Sequence, residues 1–580
     1  MINHSVQGKE WVLKSFDKNL TEYIAHKYNL DYLTAKLLSI KGLKEHEIEN
    51  FLNPRVKNFL PNPLLFKDCE KALNILFKHI KNNNKICIFG DYDVDGATSS
   101  ALMSLYLKNL NIDHFVFIPN RQKDGYGPSN STFGNIIDQK VNLIITLDCG
   151  TTSFDAIELA KKNNIDVIVI DHHLSEINLP NVLAIINPNR VDDESDYKQL
   201  AAVGVTFLFL MYLRKKLREI NKFKEIKEPN LLSYLDLVAL GTVCDVVDLK
   251  YYNRLFVKKG LELIHKRYHR GIAKLIDNSK IASSPTSQDL GFVVGPQINA
   301  ASRIVDSSLA SKLLISNDIE QIDSISRKLF LLNEKRKLIE SQILEDANNQ
   351  AASQSKSNFI LVFGNNWHQG VLGIIASKIK DIYNKPTIVI SFSNNIGIGS
   401  ARSIENVDLG KIILNAKSQN LLISGGGHSM AAGLKIYNSN MENLKLYLEK
   451  SISLYPKNLF ERIDYFDSVI TVNDLNTDLI NDIERMQPFG KGNPEPVFIL
   501  RDVTIDSIKI IKNKHLLIFF ENDIGNKIKG ICFNSNKTVL GDYLEKYNHY
   551  KFLFSCTVTV DKFTTEPVPQ IIISDVMKID

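Results

Sequence analysis

The sequence predicts an α/β protein: a doubly wound parallel sheet, a long linking helix, a second and smaller α/β lobe, and a C-terminal β-barrel. Three observations lead there. From Cys69 to about Pro188, short apolar runs alternate with amphipathic helical stretches. From Ile319 to about Gln350, apolar residues recur at helical spacing amid Lys, Glu and Arg. After about residue 460 the pattern changes to short strand-like runs separated by turn residues.

At 580 residues the chain has room for three or four domains. Residues 1–50 form a helical lead-in, carried by LTEYIAHKYNLDYLTAKLLSIKGL; a Pro-containing connection, FLNPRVKNFLPNPLLF, follows. The large α/β domain takes 51–316, the linking helix 317–356, the second lobe 357–452, and the barrel 460–580. Net charge is +5, a mild basic excess that permits a nucleic-acid partner without establishing one. Six cysteines are scattered with no CxxC pair, which excludes a zinc knuckle or a disulfide framework and fits a reduced, cytoplasmic protein. The first residues lack the apolar core of an export signal, and no run approaches the ~18 apolar residues of a membrane span.

The strands of the large domain are KICIFG, HFVFIP, VNLIITLD, DVIVID and VLAIINP. The first ends in Asp91, Asp93 and Asp95, followed by Gly96 and a helical stretch. Carboxylates so crowded repel one another unless cations stand between them. In an extended segment residues two apart point the same way, so Asp93 and Asp95 are expected to converge on one hard metal ion while Gly96 turns the backbone. Two more runs end in donors: Asp148 after LIITL, and Asp171, His172 and His173 after VIVI; Asp245 follows LDLVALGTVC. Parallel strands bring their carboxyl ends to one edge, where open sheets place ligands. Carboxylates with imidazoles suit Mn²⁺ or Mg²⁺, and also Zn²⁺ or Fe²⁺, and there are donors enough for two ions. Singly, such an aspartate is a turn former or helix cap, and it is the joint placement that favours a metal centre. Asp91 and Asp248 are better placed behind the ligands than among them. Cys149, beside Asp148, reads as a small buried thiol and not as a nucleophile.

In the second lobe, Ser400, Arg402 and His428 stand beside what read as glycine-rich turns, IGIGSARS and SGGGHSMAAG, and favour contact with phosphate or nucleic acid. In the barrel, Lys509, Lys512, Lys514, Lys527 and Lys529 interleave with Phe519, Phe520 and Phe533 and could track a single strand, though half or more of these rings should be core. The basic run 213–228 reads as a solvated helix surface with a connecting loop.

GDYDVDG (90–96), LDCG, DHH and GTVCDV resemble the successive motifs of the DHH phosphoesterase superfamily. The resemblance continues through IPNRQKDGYG (118–127), GPQINAASRI, WHQGVLGIIASKI, GSARS, SGGGHSMAAG and QPFGKGNPEPVF, and the last five select its single-strand-specific DNA exonucleases. It covers nearly the whole chain. It implies a DHH catalytic domain, a helix that sets the width of a cleft, a DHH-associated domain and a terminal OB-fold. It also implies a two-metal phosphodiesterase that digests single-stranded DNA from 5′ to 3′ into 5′-mononucleotides in repair and recombination. Asp93, Asp95, Asp148, His172 and Asp245 are then the expected ligands, and His173 either binds metal or polarises the scissile phosphate. Arg121, Arg303 and Arg402 match arginines of family motifs and are candidates for the terminal 5′ phosphate, because a guanidinium can grip phosphate oxygens in pairs. Ser302 stands where the family motif carries glycine. The implied partners of such a monomer are single-stranded DNA, single-strand-binding protein and a RecQ-type helicase. Two other readings remain: a non-catalytic DNA-binding replication scaffold, and a hydrolase of pyrophosphate or linear dinucleotides.

Overall fold

The computed structural model describes residues 4–55, 61–121, 123–281, 284–546, 550–561 and 568–579. The chain forms two compact units, Leu13–Asn333 with Phe466–Asp580, and Met1–Val12 with Glu334–Tyr465.

The first unit is built around five parallel strands: β1 (Ile86–Gly90), β2 (His114–Phe117), β3 (Leu143–Leu147), β4 (Asp166–Ile170) and β5 (Ala184–Ile186). Their order is β2-β1-β3-β4-β5, as a doubly wound sheet requires. The order reverses between β1 and β3, where helices leave opposite faces and a crevice opens at the carboxyl ends. Both strands are apolar but for Thr146 because both faces are covered, and every residue in them is buried. Each large apolar side chain so buried contributes about 1.5–3 kcal/mol. Helix α1 (Val94–Asn109) starts among the acids that follow β1 and is buried along most of its length. It packs against α2 (Ala202–Glu219) and α3 (Leu235–Cys244). Gly241 on α3 permits that approach, since a Cβ there would stand 2.3 Å from Thr98 Oγ1 and 3.0 Å from Asp95 Oδ1.

The C-terminal part of this unit is a seven-stranded sheet in the order Ser468–Ile470, Phe498–Leu500, Phe552–Asp561, Val568–Lys578, Lys527–Cys532, His515–Glu521, Thr504–Ile511. Of the strand-like run YKFLFSCTVTVDKF, Lys562 and Phe563 lie outside the described residues. Phe520 is core, whereas Phe533 is half exposed against the His515 ring. Arg254 knits this part to the rest: its guanidinium donates to the carbonyls of Phe51, Arg485 and Met486. In the basic run, Arg214 and Arg218 both fold back onto Glu228, as a solvated helix surface would.

The second unit carries a mixed sheet in the order Ser424–His428, Ala431–Tyr437, Ile396–Arg402, Thr387–Ser393, Ile360–Asn365; the last two strands are parallel and the other pairs antiparallel. Here the structure departs from the sequence reading: the glycines of both stretches lie in strands, and the turn beside His428 falls at Ser429 and Met430. IGIGSAR is an inner strand whose glycines make room for neighbours, a Cβ at Gly399 standing only 2.9 Å from Leu434 Cγ. The triple glycine lies in the edge strand Ser424–His428. The long helix is Ile319–Ser353, 35 residues, or roughly 50 Å at about 1.5 Å per residue. Near its end Gln350 and Gln354 pair with the backbone of Phe363 and Leu361, closing the other edge of the sheet. Among the described residues no helix is long and apolar enough to cross a membrane.

Candidate metal centre

The parallel ladder itself sets the acids in a row. One residue beyond the last full rung, the N–H of Asp91 donates to Leu147, that of Asp148 to Ile170 and that of Asp171 to Ile186. These three aspartates therefore stand side by side at the carboxyl edge of the sheet, across the switch point. The chain beyond β1 is not extended, contrary to the sequence expectation. Asp93 is the N-cap of α1, accepting from the Gly96 N–H at 3.0 Å, and Asp95 already lies in the first helical turn. A Cβ at residue 96 would stand 2.4 Å from the Asp91 carbonyl, so only glycine lets the helix begin this close to the strand.

Because helix replaces strand there, Asp93 and Asp95 separate. Three donor groups have ligand atoms within 4.8 Å of one another: Asp91, Asp93 and Asp148; Asp95, His172 and Asp245; Asp148, His172 and His173. Asp91, expected behind the ligands, stands among the donors, because its backbone takes the same rung as Asp148. Asp245 arrives from a helix, as the C-cap of α3. His172 Nε2 lies 3.3 Å from Asp148 Oδ1, 3.6 Å from Asp245 Oδ2 and 3.9 Å from Asp95 Oδ2.

The electrostatics are those of a cation site. Burial, then repulsion from Asp93, raises Asp91 well above the usual carboxylate range and Asp95 to about 7. Burial and the neighbouring aspartates likewise raise Asp148, and bring Asp245 to about 9. Burial lowers His172 to about 4, so its imidazole is neutral, as a metal ligand must be. Asp91 Oδ1, Asp148 Oδ1 and His172 Nε2 are buried without a hydrogen-bond partner. Buried polar atoms are almost always paired, and three orphans among mutually repelling carboxylates fit one or two divalent cations. An oxygen-rich donor set with imidazole suits Mn²⁺ or Mg²⁺.

Asp171 has another task. Its Oδ1 accepts from the N–H groups of His172 and His173 and from His173 Nδ1 at 2.8 Å, while Oδ2 accepts from the Thr151 N–H and Oγ1. Although burial works against it, these donors hold its carboxyl well below the usual range. Against its own burial, His173 is raised to about 9 by that bond and by the surrounding carboxylates. Tyr126, which sequence reasoning passed over although it lies in KDGYG, sets its hydroxyl 3.1 Å from His173 Nδ1. Cys149 is fully buried and donates to the Leu147 carbonyl; burial pushes its thiol up, which fits an inert side chain.

Arg121 lies over the Tyr92 ring at 4.9 Å, and both Arg121 and Arg303 are felt electrostatically at Tyr92, beside Asp91 and Asp93. Ser302, in the helix Gly295–Ile304, donates its hydroxyl to the Asn299 carbonyl at 3.1 Å. Ser400, Arg402 and His428 belong to the second unit. His428 pairs with Ala431, which pairs with Arg402, so both lie on one row and one face of the sheet, with Ser400 two residues along. The Arg402 guanidinium donates to Ser400 Oγ at 3.2 Å. A Cβ at Gly373, in the first turn of the helix Leu372–Tyr383, would stand 2.9 Å from Arg402 Nη2, so this cation and an N-terminus without a side-chain cap meet. That is the chemistry of an anion site.

Comparison with known proteins agrees with this fold. The model of the DHH family N-terminal domain matches residues 85–242, that of the DHHA1 domain residues 356–454, and that of the RecJ OB domain residues 466–575. The single-stranded-DNA-specific exonuclease RecJ of Haemophilus influenzae is 35% identical over 505 residues, 85% of this chain and 88% of that protein. RecJ of Escherichia coli is 33% identical, with 88% and 90% covered. The crystal structure of RecJ with Mn²⁺ from Thermus thermophilus shares the fold, with a TM-score of 0.81 at 23% identity over 98% of this chain and 80% of that one. A crystal structure of exonuclease RecJ bound to manganese matches at 28% identity and a TM-score of 0.59, over 69% of this chain and 96% of that one.

Proposed function

The chain belongs to the RecJ family of single-stranded-DNA-specific exonucleases, and on that premise we propose that the aspartates and histidines at the carboxyl edge of its parallel sheet cut the 5′-terminal phosphodiester of a single strand. The enzyme is an exonuclease of single-stranded DNA that uses Mn²⁺ or Mg²⁺. The observation that carries the site assignment is the orphaned donor set, Asp91 Oδ1, Asp148 Oδ1 and His172 Nε2, buried among carboxylates that repel one another. Asp91, Asp93 and Asp148 would hold one ion, and Asp95, His172 and Asp245 the other, with Asp148 near enough to His172 to serve both. The bound ions supply the positive charge that activates a water and stabilises charge on the attacked phosphate and leaving oxygen.

The remaining steps fall to the chain's own groups. Asp171 accepts from His173 Nδ1 and raises the ring's pKa, which favours the doubly protonated form whose Nε2 donates to a phosphate oxygen. Tyr126 keeps its phenolic proton because burial pushes its ionisation far up, so it acts as a neutral hydrogen-bonding wall beside His173. Arg121 and Arg303 in the first unit, and Ser400, Arg402 and His428 in the second, are assigned to the phosphates of the strand, Arg402 to the terminal 5′ phosphate. Digestion from 5′ to 3′ into mononucleotides, a monomeric and cytoplasmic enzyme, and cooperation with single-strand-binding protein and a RecQ-type helicase belong to the same proposal.

The test is one oligonucleotide labelled separately at each end, offered single-stranded and as a duplex with Mn²⁺ or Mg²⁺. Early release of the 5′-labelled mononucleotide from the single strand alone supports the reading. Binding without cleavage in either metal would turn it to the scaffold, and cleavage of dinucleotides alone to the small-substrate hydrolase.

A further inference from the structure

His172 and His173 sit on a short connection after β4, and every backbone N–H and C=O of the pair is held by a neighbouring side chain. Their N–H groups are taken by Asp171 Oδ1. Their carbonyls are taken by two asparagines that follow β5: Asn189 Nδ2 donates to the His172 carbonyl at 2.5 Å, and Asn187 Nδ2 to that of His173 at 2.8 Å. Asn187 is fully buried and does more. Its Nδ2 also donates to Thr151 Oγ1 at 2.9 Å, the hydroxyl that in turn donates to Asp171 Oδ2 at 2.6 Å. Its Oδ1 accepts from the Asn189 N–H at 2.8 Å. One amide thus ties together the connections after β3, β4 and β5, the first two of which carry Asp148 and Asp171.

We propose that Asn187 is a positioning residue of the metal centre, holding the backbone of His172 and His173 so that their rings meet the carboxylates in ligating geometry, with Asn189 as its auxiliary. This rests on the metal-dependent reading above. Asparagine suits the position because the site needs two donors and one acceptor on a neutral group. Aspartate would set an acceptor against the His173 carbonyl and add charge to a cluster already short of cations. Groups that orient ligands from behind typically set metal affinity by about 10–100-fold.

The experiment is Mn²⁺ binding to the full chain by titration calorimetry without DNA, with single-strand digestion measured beside it. Asn187→Ala is expected to bind Mn²⁺ about 10–100-fold more weakly than wild type. Its kcat should recover as Mn²⁺ is raised, and its KM for single strands at saturating Mn²⁺ should stay unchanged, a split that mere loss of fold does not produce. Asn189→Ala, at a half-buried position, should weaken Mn²⁺ binding in the same direction but less, and it decides the matter if Asn187→Ala does not fold. Wild-type Mn²⁺ affinity in the folded variants would overturn the proposal. A wild-type chain that binds no Mn²⁺ would instead overturn the metal reading on which it rests.

Discussion

Asp95 is buried, yet it hands both carboxylate oxygens to the start of another helix: Oδ2 accepts from the Ala202 N–H at 2.7 Å and Oδ1 from the Val203 N–H at 2.9 Å. The same side chain lies among the donors of the metal centre, so one residue ties helix packing to ligand geometry. Asp95→Ala leaves two buried N–H groups without acceptors, each worth about 1–3 kcal/mol, while Asp95→Asn keeps an acceptor. Urea unfolding of the metal-free protein should show the alanine variant clearly less stable than the asparagine one. Equal stability of the two would contradict this role.

The metal-free protein should lose stability as pH rises. Asp95 at about 7, Asp245 at about 9 and His173 at about 9 all hold their protons more tightly folded than unfolded, where aspartate titrates near ~3.9 and histidine near ~6.5. Their contribution is complete below the unfolded values and is lost as pH rises through the folded ones. Calorimetric melting in a chelator should give a lower Tm at pH ~9.5 than at pH ~6.5, and Mn²⁺ should remove most of the difference. A flat profile without metal would count against the crowded carboxylates.

Arg402 meets the N-terminus of the helix Leu372–Tyr383, and a terminal 5′ phosphate would gain charged hydrogen bonds there, worth about 1.5–3 kcal/mol. Arg402→Ala should lower kcat/KM for 5′-phosphorylated single strands by about 10–100-fold and leave 5′-hydroxyl strands nearly unaffected. An equal loss on both substrates would assign Arg402 to general DNA binding instead.

Gln350, in the last turn of the long helix, and Gln354, just past its end, each pair with an N–H and a C=O of the edge strand, at 2.9–3.1 Å. They stand where a sixth strand would. Gln354→Ala removes two such bonds at about 0.5–1.5 kcal/mol each, and hydrogen exchange at the Leu361 amide should accelerate. Unchanged exchange at Leu361 would show that the glutamine does not protect that edge.

Much of this was legible in the sequence, for a physical reason. A parallel strand covered on both faces must be apolar end to end, so KICIFG and LIITL announce themselves, and the acids that follow mark the one edge where ligands bind. Two things were not legible. The spacing of Asp93 and Asp95 reads alike in a strand and in a helix start, and the helix begins at Val94, between them, which sends the two aspartates to different donor groups and brings Asp91 forward. The glycines of IGIGSARS signal small size as readily as a turn. Which one applies depends on Leu434 and Ile390, residues of other strands. Asn187 was invisible for the same reason, since its partners are carbonyls and a hydroxyl that only the folded sheet edge brings together.

The central claim is that hydrolysis belongs to the carboxylates at that edge and that strand binding does not. Turnover and single-strand affinity of Asp148→Ala, measured side by side on purified, folded protein, test it most directly. The account predicts that cleavage is abolished while binding of the single strand remains measurable. Retained turnover in that variant would contradict it.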